Sequence, residues 1–182
     1  MDSNIYNIID TSVKIGLGAF ISAFSSYVIS KLNHRADTKK EFFRRYMDTI
    51  EKLTDSSETY FQKWITFVNC IAGDSRRMYD KGEKIQQEEW EQITLRDKLL
   101  VESRNEKQTA TARLRLLGEY KAAKILEETN NIEQELRDLV LFEQEIPTLD
   151  KLMKINERMR VLRKSFYTEL NKCYSVNNTN CS

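Results

Sequence analysis

The chain has 182 residues, and its 29 basic and 28 acidic side chains leave a formal net charge of +1. That length allows one compact domain with a short extension, and the balanced charge indicates no particular class of partner. With one proline, five glycines and much Glu, Lys, Leu and Arg, the composition favours long helices and argues against a β-sheet protein. We therefore expect an all-α fold.

The first element is an apolar stretch that we interpret as a transmembrane helix over residues 12–30, after a short extracytoplasmic N-terminus, residues 1–11. Between Asp10 and Lys31 only Lys14 is charged, and the segment has about the ~20 residues that a helix needs to cross a bilayer. The alternatives are a cleaved signal peptide and a buried or interfacial helix. A signal peptide would begin with basic residues and end at a small-residue cleavage site, and an interfacial helix would carry Lys and Arg on its polar face.

Small side chains lie on one side of this predicted helix, and bulky apolar side chains lie on the other. Their spacing resembles the small-xxx-small pattern that lets membrane helices approach closely. We therefore predict a homo-oligomer in the lipid bilayer, with a contact face formed by Gly18, Ser22, Ser25 and Ser26.

Basic residues follow the apolar stretch, whereas few precede it. The positive-inside rule then places the N-terminus outside and everything after Lys31 in the cytoplasm. We expect a single-pass protein of the cell inner membrane.

Residues 31–174 are predicted to form a cytosolic antiparallel four-helix bundle, because apolar residues recur at three- and four-residue steps in four segments. The first bundle helix ends near Ala72, where Gly73 and Asp74 resemble a stop signal. The chain from 73 to 84 is predicted to be a loop or an irregular connection, and a second helix then runs from about Ile85 to Leu117.

Glycine and proline mark the remaining boundaries. Gly118 is the expected C-terminal cap of the second helix, and a third helix runs from about Glu119 to Glu143. Pro147 then breaks the chain, and a last helix covers about Leu149 to Tyr174. The polar residues 175–182 are predicted to be a flexible tail.

The sequence contains few patterns that are typical of catalytic sites. The one histidine, His34, has no suitable nucleophile partner, and no phosphate-binding glycine loop or metal-ligand spacing occurs. The cysteines, Cys70, Cys173 and Cys181, fit no zinc or redox pattern. We expect no enzymatic activity, no metal and no cofactor.

A cluster of cations around the second inter-helix turn is the one candidate ligand site. Guanidinium groups near a helix N-terminus bind phosphates through paired hydrogen bonds, and tyrosines stack on bases. The alternative is a solvated surface, since glutamates are interspersed. The candidate ligand-binding residues at the turn are Arg113, Arg115, Tyr120, Lys121 and Lys124, and the last helix adds Arg160 and Arg163.

The order of "GLGAFISAFSSYVIS", a basic flank and a helical segment containing "TARLRLLG" resembles small membrane effectors of bacterial antiphage defence. These include CRISPR-associated effectors gated by cyclic oligonucleotides. The resemblance lies in the layout and includes no diagnostic motif. It implies a cytosolic domain that binds a cyclic oligonucleotide or another anionic ligand, and membrane helices that damage the bilayer.

The sequence therefore predicts a non-enzymatic, membrane-anchored sensor and effector. The alternative is a membrane-tethered scaffold that binds a protein partner through its bundle.

Overall fold

The computed structural model describes the backbone of residues 2–179 and the side chains of residues 22, 24–31, 33–34 and 37–172. Over residues 2–179 the chain forms the α-helices α1 (Asp2–Lys81), α2 (Gln87–Leu116), α3 (Tyr120–Arg137) and α4 (Leu149–Thr179). A π-helical segment, Asp138–Phe142, follows α3 directly. The described backbone contains no strand, so the predicted all-α class is confirmed.

The chain divides into two compact units, Met1–Arg45 and Tyr46–Ser182. We call the second the bundle unit. Its boundary lies at residue 46, whereas the sequence pattern placed the start of the bundle at residue 31.

In the first unit, the described side chains of Phe24, Tyr27 and Ile29 are exposed, and so are those of Ser22, Ser25 and Ser26. No helix in the described part of the chain is both long and apolar enough to cross a membrane. Most of the predicted span, residues 12–30, has side chains outside the described residues, and Gly18 is among them.

Side-chain pairs show how the bundle helices run. Tyr46 of α1 pairs with Glu119, directly before α3, and Tyr60 of α1 pairs with Glu133 of α3. Because the residue numbers increase in the same direction in both pairs, α1 and α3 are parallel. Contacts with α4 run the opposite way: Trp64 pairs with Asn156, and Glu58 with Arg163. Between α2 and α3, the pairs Arg115–Glu127 and Asp97–Arg137 are also antiparallel. The bundle is thus up-down-up-down, with each helix antiparallel to its neighbours along the chain.

The core lies between the inward faces of all four helices. Its largest fully buried apolar side chains are aromatic residues of α1, Tyr60, Phe61, Trp64 and Phe67, together with Phe166 of α4. Burial of each such ring stabilises the fold by about 1.5–3 kcal/mol before entropy costs. The C-terminal half of α1 therefore contributes most of the largest side chains of the apolar core.

The prediction of a loop over residues 73–84 is wrong for most of that range, because α1 continues to Lys81. Asp74 and Ser75 face the interior and are 2% and 1% exposed. Ser75 Oγ donates to the Pro147 carbonyl at 2.8 Å, and Tyr79 Oη donates to the Ile146 carbonyl at 2.9 Å. These contacts with the α3–α4 connection hold the last turns of α1 helical, and a local pattern of helix breakers cannot reveal them.

Other boundaries follow local signals. Gly118 has φ +84°, the left-handed conformation expected of a helix C-terminal cap. At the start of α2, the Gln86 N–H donates to Glu89 Oε2 at 2.5 Å, as in a capping box. Thr148 Oγ1 accepts from the Lys151 N–H at 3.4 Å, a long contact at the predicted cap of α4. α4 ends at Thr179, beyond the predicted Tyr174, and residues 180–182 of the predicted tail lie outside the described residues.

Two glycine substitutions test where α1 ends. Gly73 lies inside the helix, and a Cβ added there would meet no atom within 4 Å, whereas Gly82 has φ +69°. We expect Gly73→Ala to raise the free energy of unfolding by about 0.5–1 kcal/mol, and Gly82→Ala to lower it by about 1–2 kcal/mol. Urea unfolding monitored by circular dichroism measures both. A destabilising Gly73→Ala would show that the helix does not continue through this position.

Candidate functional site

The predicted cations do not form one group in the structure. Around the α2–α3 turn, the side chains of Arg113, Tyr120, Lys121 and Lys124 are exposed, and Tyr120 is 69% exposed. Arg115 lies beside them and is ion-paired with Glu127 of α3. We call Arg113, Arg115, Tyr120, Lys121 and Lys124 the basic turn.

The two predicted arginines of α4 lie elsewhere. Arg160 pairs with Glu157 of its own helix at 2.7 Å. Arg163 donates to Glu58 of α1 at 2.6 Å and lies 5.6 Å from the centre of the Phe61 ring. Since Arg163 faces the α1–α4 groove and Arg115 faces the α2–α3 groove, the predicted site is divided between opposite sides of the bundle.

Carboxylates neutralise part of the predicted positive charge. Arg115, Arg160 and Arg163 each have an acidic partner. The pairs of Arg115 and Arg160 are exposed and contribute little to stability, whereas the pair of Arg163 with Glu58 is partly buried. Lys121 lies near enough to Glu169 to help Lys172 lower the pKa of that carboxyl. Within the described part of the chain, Arg113 and Lys124 form no ion pair, and they are the cations most available to an anion.

The basic turn is joined to the first residue of the bundle unit. Gly118 lets the chain reverse between α2 and α3, and the Glu119 N–H then donates to the Leu114 carbonyl at 2.8 Å. The Glu119 side chain accepts a hydrogen bond from Tyr46 Oη of α1 at 2.7 Å. The turn that carries the exposed cations is therefore held against α1 at residue 46.

The interior of the bundle contains a polar cluster that sequence analysis did not identify. Glu133 of α3, 1% exposed, accepts hydrogen bonds from Tyr60 of α1 at 3.0 Å and from Arg104 of α2 at 2.6 Å. Lys107 of α2 is 3.3 Å from the same carboxylate. We call Tyr60, Arg104, Lys107, Thr129, Asn130 and Glu133 the interior cluster.

Lys107 is fully satisfied although it is only 2% exposed. Its ammonium donates to Asn130 Oδ1 at 2.7 Å and to Thr129 Oγ1 at 3.2 Å, besides Glu133. It also lies 3.8 Å from the centre of the Tyr60 ring, a favourable cation–π arrangement. Loss of solvation lowers the pKa of Lys107 from 10.5 to about 8, although Glu133 opposes this shift.

The sequence does contain a signal for this cluster. Leu100, Lys107 and Leu114 are seven residues apart and all lie on the buried face of α2, so Lys107 occupies a core position of a helical repeat. A lysine at such a position needs a buried partner, but nothing in the sequence shows that Glu133 provides it.

A second group of charges lies between the end of α1 and the start of α2. Arg77 pairs with Asp74 and, at 2.6 Å, with Glu89. Burial raises the pKa of Asp74, and its Oδ2 atom is buried without a hydrogen-bond partner. The adjoining groove of about 440 Å³ is lined by Cys70 and Arg96, among others. Burial raises the pKa of the Cys70 thiol, which makes it a poor nucleophile at neutral pH.

Within the described residues, no group of three or more His, Cys, Asp or Glu side chains is arranged to hold a metal ion. His34 is exposed on the N-terminal part of α1.

Comparison with known proteins finds no matching family model, no matching curated protein and no matching solved structure.

The interior cluster leads to a stability prediction. Glu133→Gln would leave Lys107 and Arg104 without a carboxylate, and we expect the free energy of unfolding to fall by about 3 kcal/mol. Glu127→Gln is the matched control on the same helix, because Glu127 pairs with the exposed Arg115. That change should cost less than about 1 kcal/mol. Equal losses in urea unfolding would contradict the central role of Glu133.

The lowered pKa of Lys107 predicts a pH dependence. Between pH 8 and 10.5 the unfolded chain holds a proton on Lys107 that the folded chain has released, so stability relative to a Lys107→Met variant rises with pH in this window. The slope for one proton is at most about 1.4 kcal/mol per pH unit. Unfolding free energies of the two proteins at several pH values measure the difference. A difference that is constant or falls from pH 8 to 10 contradicts the assignment.

Proposed function

We propose that the protein is a membrane-anchored, oligomeric sensor and effector whose bundle binds an anionic signal at the basic turn. The observation that carries the proposal is the hydrogen bond between Glu119 and Tyr46. It joins a turn with exposed cations to the residue at which the bundle unit begins. A ligand bound at the turn would act through this hydrogen bond on α1 at Tyr46. The predicted membrane segment, residues 12–30, precedes Tyr46 in the chain.

The properties of the turn define the class of ligand. Arg113 and Lys124 supply positive charge without a carboxylate partner among the described residues, and Tyr120 offers an exposed ring on which a base can stack. A phosphate-bearing ligand with aromatic bases, such as a cyclic oligonucleotide, combines the two complementary features. The layout resemblance to antiphage membrane effectors agrees with this choice and suggests a role in antiviral defence at the bacterial inner membrane.

The alternative function is a membrane-tethered scaffold. It is favoured by an apolar surface on the outer side of α2, where Leu95 is 46% exposed and adjoins Trp90 and Thr94 in one shallow groove. A protein partner with an apolar helix face would fit such a surface. Substitutions in the basic turn would leave this partner bound.

A binding experiment distinguishes the two functions. The full chain in detergent is titrated with a panel of cyclic oligonucleotides, using the double variant Arg113→Gln/Lys124→Gln and the control Lys98→Gln. We expect the double variant to weaken binding about tenfold or more, and the control to bind as the unsubstituted chain does. Binding to no member of the panel, or equal binding by all three proteins, contradicts the proposed site.

The coupling is tested separately with Tyr46→Phe, which removes only the hydroxyl that donates to Glu119. We expect ligand affinity to change less than about threefold, whereas ligand-dependent dye leakage from reconstituted vesicles should fall. Thr54→Val is a control elsewhere on α1, where the hydroxyl donates to the Ile50 carbonyl of its own helix. Unchanged leakage with Tyr46→Phe would remove this hydrogen bond from the proposed route.

A further inference from the structure

An open groove lies between α3 and α4 on the surface of the bundle unit. It has a volume of about 840 Å³ and an apolar floor formed by Ile132, Val161 and Leu162. Val161 is 53% exposed, so apolar surface in the groove is open to a partner. Charged residues lie along both walls: Glu128, Lys154, Glu157 and Arg158.

The register of the two helices places these charges along the groove. Arg158 of α4 pairs with Glu135 of α3 at 2.6 Å, and the two helices are antiparallel. Glu128 lies seven residues before Glu135, so it is level with the residue seven after Arg158, which is Ser165. Lys154 lies on α4 eleven residues before Ser165, which is about 16 Å along the helix. A negative charge therefore stands near one end of the groove and a positive charge near the other.

These two charges differ from the others in the groove. Glu157 pairs with Arg160, and Arg158 pairs with Glu135. Glu128 and Lys154 are exposed, and neither forms a hydrogen bond or ion pair with any side chain that the structure describes. They are thus available to a partner that presents the opposite charges at the same spacing.

A second copy of the same groove is such a partner. When two copies meet face to face about a two-fold axis, each groove is reversed relative to the other, and Lys154 of one copy lies opposite Glu128 of the next. The axis passes between α3 and α4, level with the midpoint of residues 154 and 165 of α4, and Val161 lines the groove close to it. The exposed apolar side chain then contacts its own symmetry mate, and both unpaired charges gain a partner.

We propose that the α3–α4 groove is a two-fold contact between bundle units, with Val161 near the axis and reciprocal Lys154–Glu128 ion pairs on either side. The contact is small compared with stable dimer interfaces, which bury about 1,200–2,000 Å². It is therefore a weak association that a common anchor would promote by raising the effective concentration. It involves no residue of the basic turn and stands whether or not an anion binds there.

Charge exchange tests the contact in the full chain. Lys154→Glu and Glu128→Lys each place like charges opposite one another at two positions, so we expect each to weaken association of the bundle units about tenfold or more. The double variant restores opposite charges and should associate within about threefold of the unsubstituted chain. Sedimentation over a range of concentrations, in one detergent for all variants, measures the change.

Lys98→Glu, Glu102→Lys and their double variant are the matched controls. These exposed residues of α2 lie outside the groove, and their exchange should leave association unchanged. Single variants in the groove that associate normally, or a double variant that fails to recover, would overturn the proposal.

A cross-link tests the position of the axis. In a chain with its three cysteines replaced by serine, Val161→Cys should form a symmetric disulfide on oxidation with copper phenanthroline, and Lys98→Cys should not. Equal cross-linking of the two, or none at position 161, would overturn the proposed geometry. So would a groove occupied by a helix of another protein while the bundle units remain monomeric.

Discussion

The bundle depends on one buried carboxylate. Glu133 of α3 accepts hydrogen bonds from Tyr60 of α1 and from Arg104 and Lys107 of α2, so three helices meet at a single side chain. Burying these charges costs free energy, which is recovered only when every partner is in place. A shift of α1 or α2 by one turn would leave the carboxylate or the ammonium unpaired. We infer that the cluster selects the helix register more than it adds to stability, and that apolar packing around Trp64 and Phe166 supplies the larger stabilising contribution.

The sequence predicted those features of the fold that depend on local chemistry. The start of α4 at Leu149, the left-handed Gly118 and the break at Pro147 appear where the pattern placed them. The end of α1 was predicted wrongly because Gly73 and Asp74 are helix breakers only by propensity. Hydrogen bonds from Ser75 and Tyr79 to carbonyls about 70 residues later in the chain outweigh that preference.

The candidate site was less predictable, because charge in a sequence does not reveal its partner. The sequence predicted that Arg163 and Arg115 lie in one ligand site. In the structure Arg163 instead pairs with the carboxylate of Glu58, 105 residues away in the chain. The cluster around Lys107 was missed for the same reason. A lysine on a core face indicates that a buried acceptor is required, but Glu133 can be identified as that acceptor only after α2 and α3 are paired. The link between Glu119 and Tyr46 likewise depends on how the helices pack.

The interior cluster also limits how the bundle could transmit a signal. Sliding of α1 against α2 and α3 would break the hydrogen bonds of Glu133 and the contact of Lys107 with the Tyr60 ring, at a cost of several kcal/mol. Coupling between allosteric sites commonly amounts to only about 1–3 kcal/mol. Binding at the basic turn is therefore expected to move the bundle unit as a rigid body or to change how copies associate. Under the proposed function, the Glu119–Tyr46 hydrogen bond would serve the first route, because it lies at the edge of the unit. The α3–α4 groove would serve the second, because its exposed charges could pair between copies while the interior cluster stays intact.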